Sequence, residues 1–153
     1  MTTRLSDIVT AAPDLVARAS LRIETPGAGI TEFTRDAAAF LAKVQAGDGV
    51  MLAFLRHTSA SLTIQENADP DVQRDLMTAL DRLAPENAGW VHDAEGPDDM
   101  PAHVKAMLTG ISLHVPVAGG RMMLGTWQGL YLVEHRRRPH GREILLQFIG
   151  SRR

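Results

Sequence analysis

The chain contains no cysteine among its 153 residues. This absence excludes disulfides, thiolate nucleophiles and zinc sites built on cysteine. Any bound metal must therefore be held by histidine, aspartate or glutamate side chains or by backbone oxygen atoms.

The sequence also lacks an excess of positive charge and any long apolar run. Its formal net charge is −2, which gives no electrostatic basis for general nucleic-acid binding. No apolar run approaches the roughly 18–20 residues of a membrane-spanning helix. Residues 1–7 lack the basic start and apolar centre of a signal peptide. We therefore expect a cytoplasmic protein with no nucleic-acid or membrane partner.

Length and composition favour one globular domain. The chain has 44% hydrophobic and 22% charged residues, and its length suffices for a single core. Residues 1–18 show no convincing hydrophobic period and contain Pro13, which predicts an N-terminal arm that docks loosely or touches a neighbouring subunit. Residues 19–153 form the predicted domain.

The first half of the chain contains three strand patterns and one helix pattern. Alternation over Ala19–Thr25 and over Ser61–Gln65 predicts two half-buried strands. The almost uniformly apolar run Val50–Leu55 predicts a strand buried on both faces. Thr34 is placed to act as the N-cap of a helix that runs to about Gln45.

Two further helices are predicted in the middle of the chain. Asp69 and Pro70 suit the N-cap and first position of one helix, which Pro85 ends. Its buried stripe consists of apolar residues at helical spacing: Val72, Leu76, Leu80 and Leu83. The other helix runs from Pro101 to about Leu108, which places His103 in its first turn.

The last third of the chain reads as antiparallel sheet. Strand patterns separated by turn residues cover Ser112–Val117, Arg121–Leu124, Thr126–Glu134 and Glu143–Ile149. The order of elements predicts an α+β fold: a single compact domain with a mixed, largely antiparallel sheet and about three helices.

The segment Trp90–His103 is a polar, ionisable loop. Gly96 and Pro97 break regular structure within it, and His92 and His103 lie near its two ends. Between these histidines are four carboxylates: Asp93, Glu95, Asp98 and Asp99. Such a loop is typical of a metal or acid–base site, and equally of an ordinary solvated surface loop.

The four carboxylates have different interpretations. Asp93 or Glu95 can orient a metal-binding histidine or serve as general base toward a metal-bound water. Asp98 and Asp99 are interpreted as stabilising the N-terminus of the helix that follows.

Four histidines lie at the ends of predicted elements: His57, His92, His103 and His135. Three imidazoles with an open position would form a catalytic-type site for zinc or another divalent metal. The alternative is a set of isolated surface or hydrogen-bonded histidines, because the spacing from His92 to His103 matches no short metal motif. The hydroxyls beside His57 lack the nucleophile elbow of a serine hydrolase.

A basic turn follows the strand that ends at Glu134. Its guanidinium groups, those of Arg136, Arg137, Arg138 and Arg142, suit an anionic ligand such as a phosphate, although a solvated turn would look the same. The chain has no Walker-type or Gly-x-Gly-x-x-Gly loop, so nucleotide binding by those routes is not supported.

Four blocks of the sequence resemble the signature blocks of the YjbQ family. They are His57-Thr-Ser-Ala-Ser-Leu62, Glu66-Asn-Ala-Asp-Pro-Asp71, the stretch from His92 to His103, and Leu124-Gly-Thr-Trp-Gln-Gly-Leu-Tyr131 followed by Glu134-His135-Arg136. The resemblance covers roughly residues 19–150, and the order of the four blocks makes it highly specific.

The resemblance implies a compact α+β fold assembled as a homotrimer, with a histidine-lined site near a subunit boundary. Carried over residue by residue, the resemblance implies that a divalent metal, zinc by preference, would be held by His92, His103 and His135. Catalytic groups would be Asp93, Glu95 and His57. Cofactor or substrate contacts would come from Glu66, Asn67, Gln128 and Arg136.

The resemblance also implies a secondary thiamine-phosphate synthase activity. The sequence offers no recognisable diphosphate cradle, so we interpret that activity as a side reaction. The favoured hypothesis is a metal-dependent enzyme acting on a small, phosphorylated metabolite. The alternatives are a non-catalytic trimeric module that binds a metabolite or metal, and a structural histidine cluster that locks the trimer.

Overall fold

The computed structural model describes residues 1–153, which form three helices and eight strands. The elements are β1 (Leu15–Thr25), β2 (Gly29–Glu32), α1 (Thr34–Lys43), β3 (Ala46–Leu55), β4 (Ala60–Glu66), α2 (Pro70–Leu83), α3 (Asp99–Thr109), β5 (Ser112–Ala118), β6 (Arg121–Met122), β7 (Gln128–Glu134) and β8 (His140–Arg152). No helix has the length and apolar character needed to cross a membrane.

The strands form two antiparallel sheets. One has five strands in the order β1-β8-β3-β5-β6, and the other has three in the order β2-β7-β4. The predicted α+β fold with three helices and largely antiparallel strands is confirmed. Strand β1 begins at Leu15 and pairs with β8 along its whole length, so the last residues of the predicted arm belong to the sheet.

The core lies between the two sheets and α1. Its largest fully buried side chains include Phe33 beside α1, Met51 of β3 and Phe148 of β8. Strand β7 is central in its sheet and is buried from Gly129 to Glu134, so the predicted alternation there does not produce an exposed face.

The outer face of the five-stranded sheet is not covered within one chain. Phe54 of β3 is 45% exposed, and Val16 of β1 is 68% exposed. The prediction that Val50–Leu55 is buried on both faces is therefore wrong for the single chain. The core covers one face of this apolar strand, and nothing in the chain covers the other face.

The two predicted helix starts have different outcomes. Asp69 caps α2 through a 2.9 Å hydrogen bond from the backbone N–H of Asp71, with Pro70 as first residue, as predicted. Thr34 does not cap α1. Its hydroxyl donates to Glu32 and accepts from the backbone N–H of Leu130, so it joins α1 to the small sheet instead.

Helix α2 lies at the periphery of the fold. Its apolar stripe is only half-buried, and Leu83 is 67% exposed, which corrects the prediction of a buried stripe. Amphipathic spacing identifies the face that turns inward, but not how much structure covers it.

Helix α3 begins at Asp99, two residues before the predicted start at Pro101. Proline is tolerated there because the N–H groups of the first turn have no helical partners. His103 consequently lies in the second turn and not the first. Around the start of α3, three loops meet: residues 56–59 between β3 and β4, residues 84–98 between α2 and α3, and residues 135–139 between β7 and β8.

Candidate metal centre

Two histidines and one aspartate form a compact cluster at the start of α3. One ligand atom from each of His92, Asp99 and His103 lies within 4.8 Å of the others. The Nε2 atoms of His92 and His103 are 2.7 and 3.2 Å from Oδ2 of Asp99. The Asp99 carboxylate is 2% exposed, so it is fixed in the protein while the imidazoles remain partly accessible.

Local sequence explains part of this convergence. Asp99 and His103 are four residues apart on α3, which places both side chains on one face of the helix. His92 comes from the preceding loop, where Gly96 adopts a φ of +108° that favours glycine. The backbone N–H of Gly96 donates to the carbonyl of Asp93, and its own carbonyl accepts from Asp99 N–H, which folds the loop back toward the helix.

The tautomer of His103 is determined by its backbone partner. Its Nδ1 atom is 2.8 Å from the carbonyl oxygen of Thr58. A carbonyl oxygen can only accept, so Nδ1 carries a proton and Nε2 is the ring nitrogen left to contact Asp99. This Nε2 atom faces Oδ2 of Asp99, where a neutral ring can share a metal ion with the carboxylate and a protonated ring donates a hydrogen bond to it.

Arg136 orients the Asp99 carboxylate. Its guanidinium donates to Oδ1 of Asp99, to Asp98 and to the carbonyl of Glu95. Burial opposes the charged form of Asp99, but the hydrogen bond with His92 and the charge of Arg136 outweigh it and lower the pKa of Asp99. Asp99 is therefore an ionised carboxylate whose Oδ2 is directed at the two histidines.

The backbone of Arg136 is held by the buried ion pair between Glu134, two residues earlier in the chain, and Arg142. The Glu134 carboxylate accepts two hydrogen bonds from Arg142, at 2.7 and 2.6 Å. It also accepts from the Thr25 hydroxyl at 2.8 Å and from the backbone N–H of Arg136 at 2.9 Å. The chain of contacts runs from Arg142 through Glu134 and Arg136 to Asp99.

The donor set suits a divalent metal. Zinc binds imidazole nitrogen and carboxylate oxygen at about 2.0–2.2 Å, which places neighbouring ligand atoms about 3.3 Å apart. Nε2 of His103 lies 3.2 Å from Oδ2 of Asp99, close to this spacing, whereas Nε2 of His92 lies 2.7 Å from the same oxygen, at hydrogen-bond distance. Two histidines and one carboxylate form a set used by catalytic zinc and by non-haem iron, and Nδ1 of His103 has the backbone partner expected of a ligating histidine.

Comparison with known proteins identifies the family. A family model described as UPF0047 protein YjbQ-like matches residues 19–151. The chain belongs to the YjbQ family. The UPF0047 protein of Synechocystis sp. is 47% identical over 132 residues, which make up 86% of this chain and 90% of that protein. The predicted resemblance is confirmed.

Solved structures confirm the YjbQ-like fold. A hypothetical protein from Aeropyrum pernix matches with a TM-score of 0.82 and 26% identity, over 88% of this chain and 99% of that one. A conserved hypothetical protein from Thermus thermophilus matches with a TM-score of 0.75 and 35% identity, over 85% and 98% of the two chains.

The cavity beside the cluster includes His57. It has a volume of about 320 Å³ and is lined by His57, Thr58, His103, Ala106, Met107, Gly110 and Ile111. The backbone N–H of Glu143 donates to Nε2 of His57 at 2.9 Å. Burial, and next the charge of Arg142, lower the pKa of His57, so its ring is neutral and its proton is on Nδ1.

His135 is not part of the His92, Asp99 and His103 cluster. Its ring is 3% exposed, and its Nε2 lies 2.8 Å from the hydroxyl of Ser61. Burial, and next the charge of Lys105, lower the pKa of His135 to about 4, so the ring is neutral at physiological pH. Metal binding by His135 stays a prediction. In the structure, Asp99 takes the third place in the cluster, where His135 was expected.

Three of the predicted cofactor-binding residues lie at the other end of the small sheet in this YjbQ-family chain. Glu66 pairs with Gln128 at one end of β4 and β7, whereas Ala60 pairs with Glu134 at the other. Six strand residues separate the ends by about 20 Å. Glu66, Asn67 and Gln128 therefore do not meet the histidines within one chain, and Oε2 of Glu66 is buried without a partner.

The remaining predicted site residues are Arg136, whose side chain is hydrogen-bonded within the chain, and Asp93 and Glu95, whose side chains are not. The donors of Arg136 are occupied by the acidic loop, as described. Asp93 and Glu95 are exposed, and their carboxylates have no hydrogen bond or ion pair within the chain. Their catalytic roles, and ligand binding by Arg136, stay predictions.

Asp99 is the site residue that the sequence interpretation missed. The signal was an aspartate four residues before a histidine, a spacing that puts both side chains on one helical face. Starting the helix at Pro101 left Asp99 outside it. Asp99 was predicted to stabilise the helix start because of its negative charge, and its position on the same helical face as His103 was not considered.

Proposed function

We propose that this YjbQ-family protein is a metal-dependent enzyme that acts on a small, phosphorylated metabolite. His92, Asp99 and His103 hold the divalent metal, and zinc fits their donor types. The observation that carries the proposal is the convergence of one ligand atom from each of these three residues within 4.8 Å, around the ionised Asp99 carboxylate. A divalent cation bound by both imidazoles would be compensated by the negative charge of Asp99.

Three protein ligands leave a coordination position open, which is the arrangement of catalytic rather than structural zinc. The bound metal would supply Lewis-acid chemistry, by polarising a leaving group or activating water. The residues of the chain hold it in place: Arg136 orients Asp99, and the carbonyl of Thr58 fixes the tautomer of His103.

The groups around the cluster suit binding and proton transfer. His57 lines the adjoining cavity and keeps Nδ1, with its proton, available as a hydrogen-bond donor to a substrate. Asp93 and Glu95 belong to the loop that carries His92, and their free carboxylates can accept or return a proton. The exposed Arg138 of the neighbouring loop can attract a phosphate group.

Chelation tests catalysis by the metal. The reaction assayed is the joining of a pyrimidine diphosphate to a thiazole phosphate with release of pyrophosphate, the secondary activity implied by the family. We expect product formation to fall at least tenfold after dialysis against a chelator and to return on addition of zinc. Glu95→Gln, which leaves all three ligands intact, should retain the metal but lose rate if Glu95 moves the proton.

Two outcomes would contradict the proposal. Turnover that is unaffected by chelation would remove the metal from the reaction. Tight retention of metal with no turnover of this pair or of other phosphorylated metabolites would favour the alternative, a non-catalytic binding module.

We also propose that the protein is a cytoplasmic homotrimer. The uncovered outer face of the five-stranded sheet supports assembly, since Phe54 and Val16 expose apolar surface there. A subunit boundary would also allow Glu66 and Gln128 of one copy to approach the histidines of another.

Sedimentation equilibrium should give three times the 16.6 kDa chain mass, and Phe54→Glu should shift the protein toward monomer. A monomeric wild type would contradict assembly.

A further inference from the structure

A second polar cavity lies between α2, α3 and the loop that follows β7. Its volume is about 310 Å³. Asp81 lines it from α2, Pro101 and Lys105 line it from α3, and His135 and Arg137 line it from the β7–β8 loop. This size is at the lower end of the range of small-molecule sites.

This cavity is separate from the candidate metal centre. Pro101 and Lys105 follow Asp99 and His103 by two residues each, which turns them by about 200° around the axis of α3. None of the three candidate metal ligands lines the cavity. The two sites therefore lie on opposite sides of one helix.

His135 brings an unpaired polar atom to this region. Its Nδ1 is buried and has no hydrogen-bond partner. The Ser61 hydroxyl has Nε2 of His135 as its one partner. If the hydroxyl donates to Nε2, the ring proton is on Nδ1, and this N–H is the only group left unpaired. The opposite tautomer would leave both the hydroxyl proton and the Nδ1 lone pair unpaired. The first arrangement leaves fewer buried polar groups unpaired and is therefore lower in free energy. In it, Nδ1–H is a hydrogen-bond donor without an acceptor.

Lys105 adds further donors to the same cavity. Only 6% of the residue is exposed, yet its ammonium makes a single hydrogen bond, at 2.5 Å to Asp81. An ammonium has three N–H donors, so two remain for a ligand. A buried lysine is costly unless its charge is compensated, and Asp81 lies largely in solvent with a side chain 68% exposed.

The carboxylates around the cavity are already matched. Asp81 pairs with Lys105, and Glu86 pairs with Arg137. Asp98 accepts from the guanidinium of Arg136 and from the backbone N–H of Arg137. Each carboxylate thus has a cationic partner, but Arg136 lies outside the lining and is shared with Asp99, so the lining itself holds three carboxylates and two cations. The polar groups that keep unpaired donors are His135 and Lys105.

We propose that this cavity is a second binding site, for a small oxyanion-bearing ligand held by Lys105 and His135. Carboxylates and phosphate monoesters share the required chemistry, since both present several acceptor oxygens and a negative charge to an ammonium and a neutral N–H donor. The site does not depend on the proposed metal, because its groups lie on the other face of α3.

The chain contains only two lysines, Lys43 and Lys105, which makes a direct test possible. Protein labelled with ¹³C-lysine gives two Cε signals, and exposed Lys43 is an internal control. Inorganic phosphate is titrated against sodium chloride at matched ionic strength and pH, and acetate is titrated in a second arm. We expect the Lys105 signal to shift with saturation at millimolar ligand, while the Lys43 signal does not saturate.

The variant His135→Phe should raise the midpoint of the titration about tenfold, the equivalent of one hydrogen bond. His114→Phe, at an exposed histidine of β5, should leave it unchanged. Saturation with phosphate alone identifies a phosphate ester as the ligand class, and saturation with acetate identifies a carboxylate. Equal, linear shifts of the Lys43 and Lys105 signals with both phosphate and acetate would overturn the proposal. The titration of the wild-type protein is sufficient for this test, so the test does not depend on the folding of a variant.

Discussion

Asp99→Asn should abolish stoichiometric zinc binding. The amide is nearly isosteric and can still accept from Arg136, but it lacks the negative charge that faces the two histidines. Loss of an outer partner of a ligand typically costs 10–100-fold in metal affinity, so loss of the ligand charge itself should cost more than about 100-fold. Elemental analysis of untagged protein should find about one zinc per wild-type chain and less than one tenth of that in the variant.

The matched control is Asp93→Asn, the same chemical change six residues earlier in the chain. Asp93 is exposed and outside the cluster, so this variant should bind zinc as the wild type does. Circular dichroism should show both variants folded. Equal zinc content in wild type, Asp99→Asn and Asp93→Asn would remove Asp99 from the metal centre.

Glu134→Ala should lower the free energy of unfolding by about 3–5 kcal/mol. The change leaves the Arg142 guanidinium, 4% exposed, without its carboxylate partner, and removal of one partner from a buried ion pair carries a cost of this size. It also removes acceptors for Thr25 and for the backbone of Arg136. Urea denaturation at pH 7 measures the difference.

The matched control is Glu143→Ala, which removes a carboxylate paired with Arg56 at the surface. That pair is 58% and 41% exposed, so its loss should cost less than about 1 kcal/mol. A Glu134→Ala variant no less stable than Glu143→Ala would show that the buried pair does not anchor the loop.

The same carboxylate predicts a pH dependence. Its hydrogen bonds with Arg142 outweigh burial and lower the pKa of Glu134 in the folded state. The ionised group therefore stabilises the fold fully above its ordinary pKa of about 4.5, and this stabilisation is lost as pH falls through the lower folded value. In Glu134→Gln, this part of the acid destabilisation should disappear.

Local patterns in the sequence predict much of the fold. Alternation identified β1 and β4, and the Asp69-Pro70 pair fixed the start of α2, because these signals arise from the residues of each element alone. The strand Gly29–Glu32 was missed because it is short and is defined by pairing with β7, a hundred residues later in the chain. The outer face of β3 was misjudged because an apolar run does not reveal what covers it.

The residues of the candidate cluster were predicted in part, because only some of them are marked by local sequence patterns. His92 and His103 were identified from an ionisable loop at the ends of elements, which is a local property. Asp99 joins the cluster because of the face of α3 that meets the loop, and the ring of His135 is instead hydrogen-bonded to Ser61 of a distant strand. The separation of Glu66 from the histidines follows from strand register, which residue type does not encode.

Anomalous X-ray diffraction at the zinc edge, from crystals grown with one equivalent of zinc, tests the metal centre most directly. We predict an anomalous peak about 2.0–2.2 Å from Nε2 of His92, Nε2 of His103 and a carboxylate oxygen of Asp99. A peak bound by His135 in place of Asp99, or no peak at the cluster while His103 and Asp99 keep a direct hydrogen bond, would contradict the account.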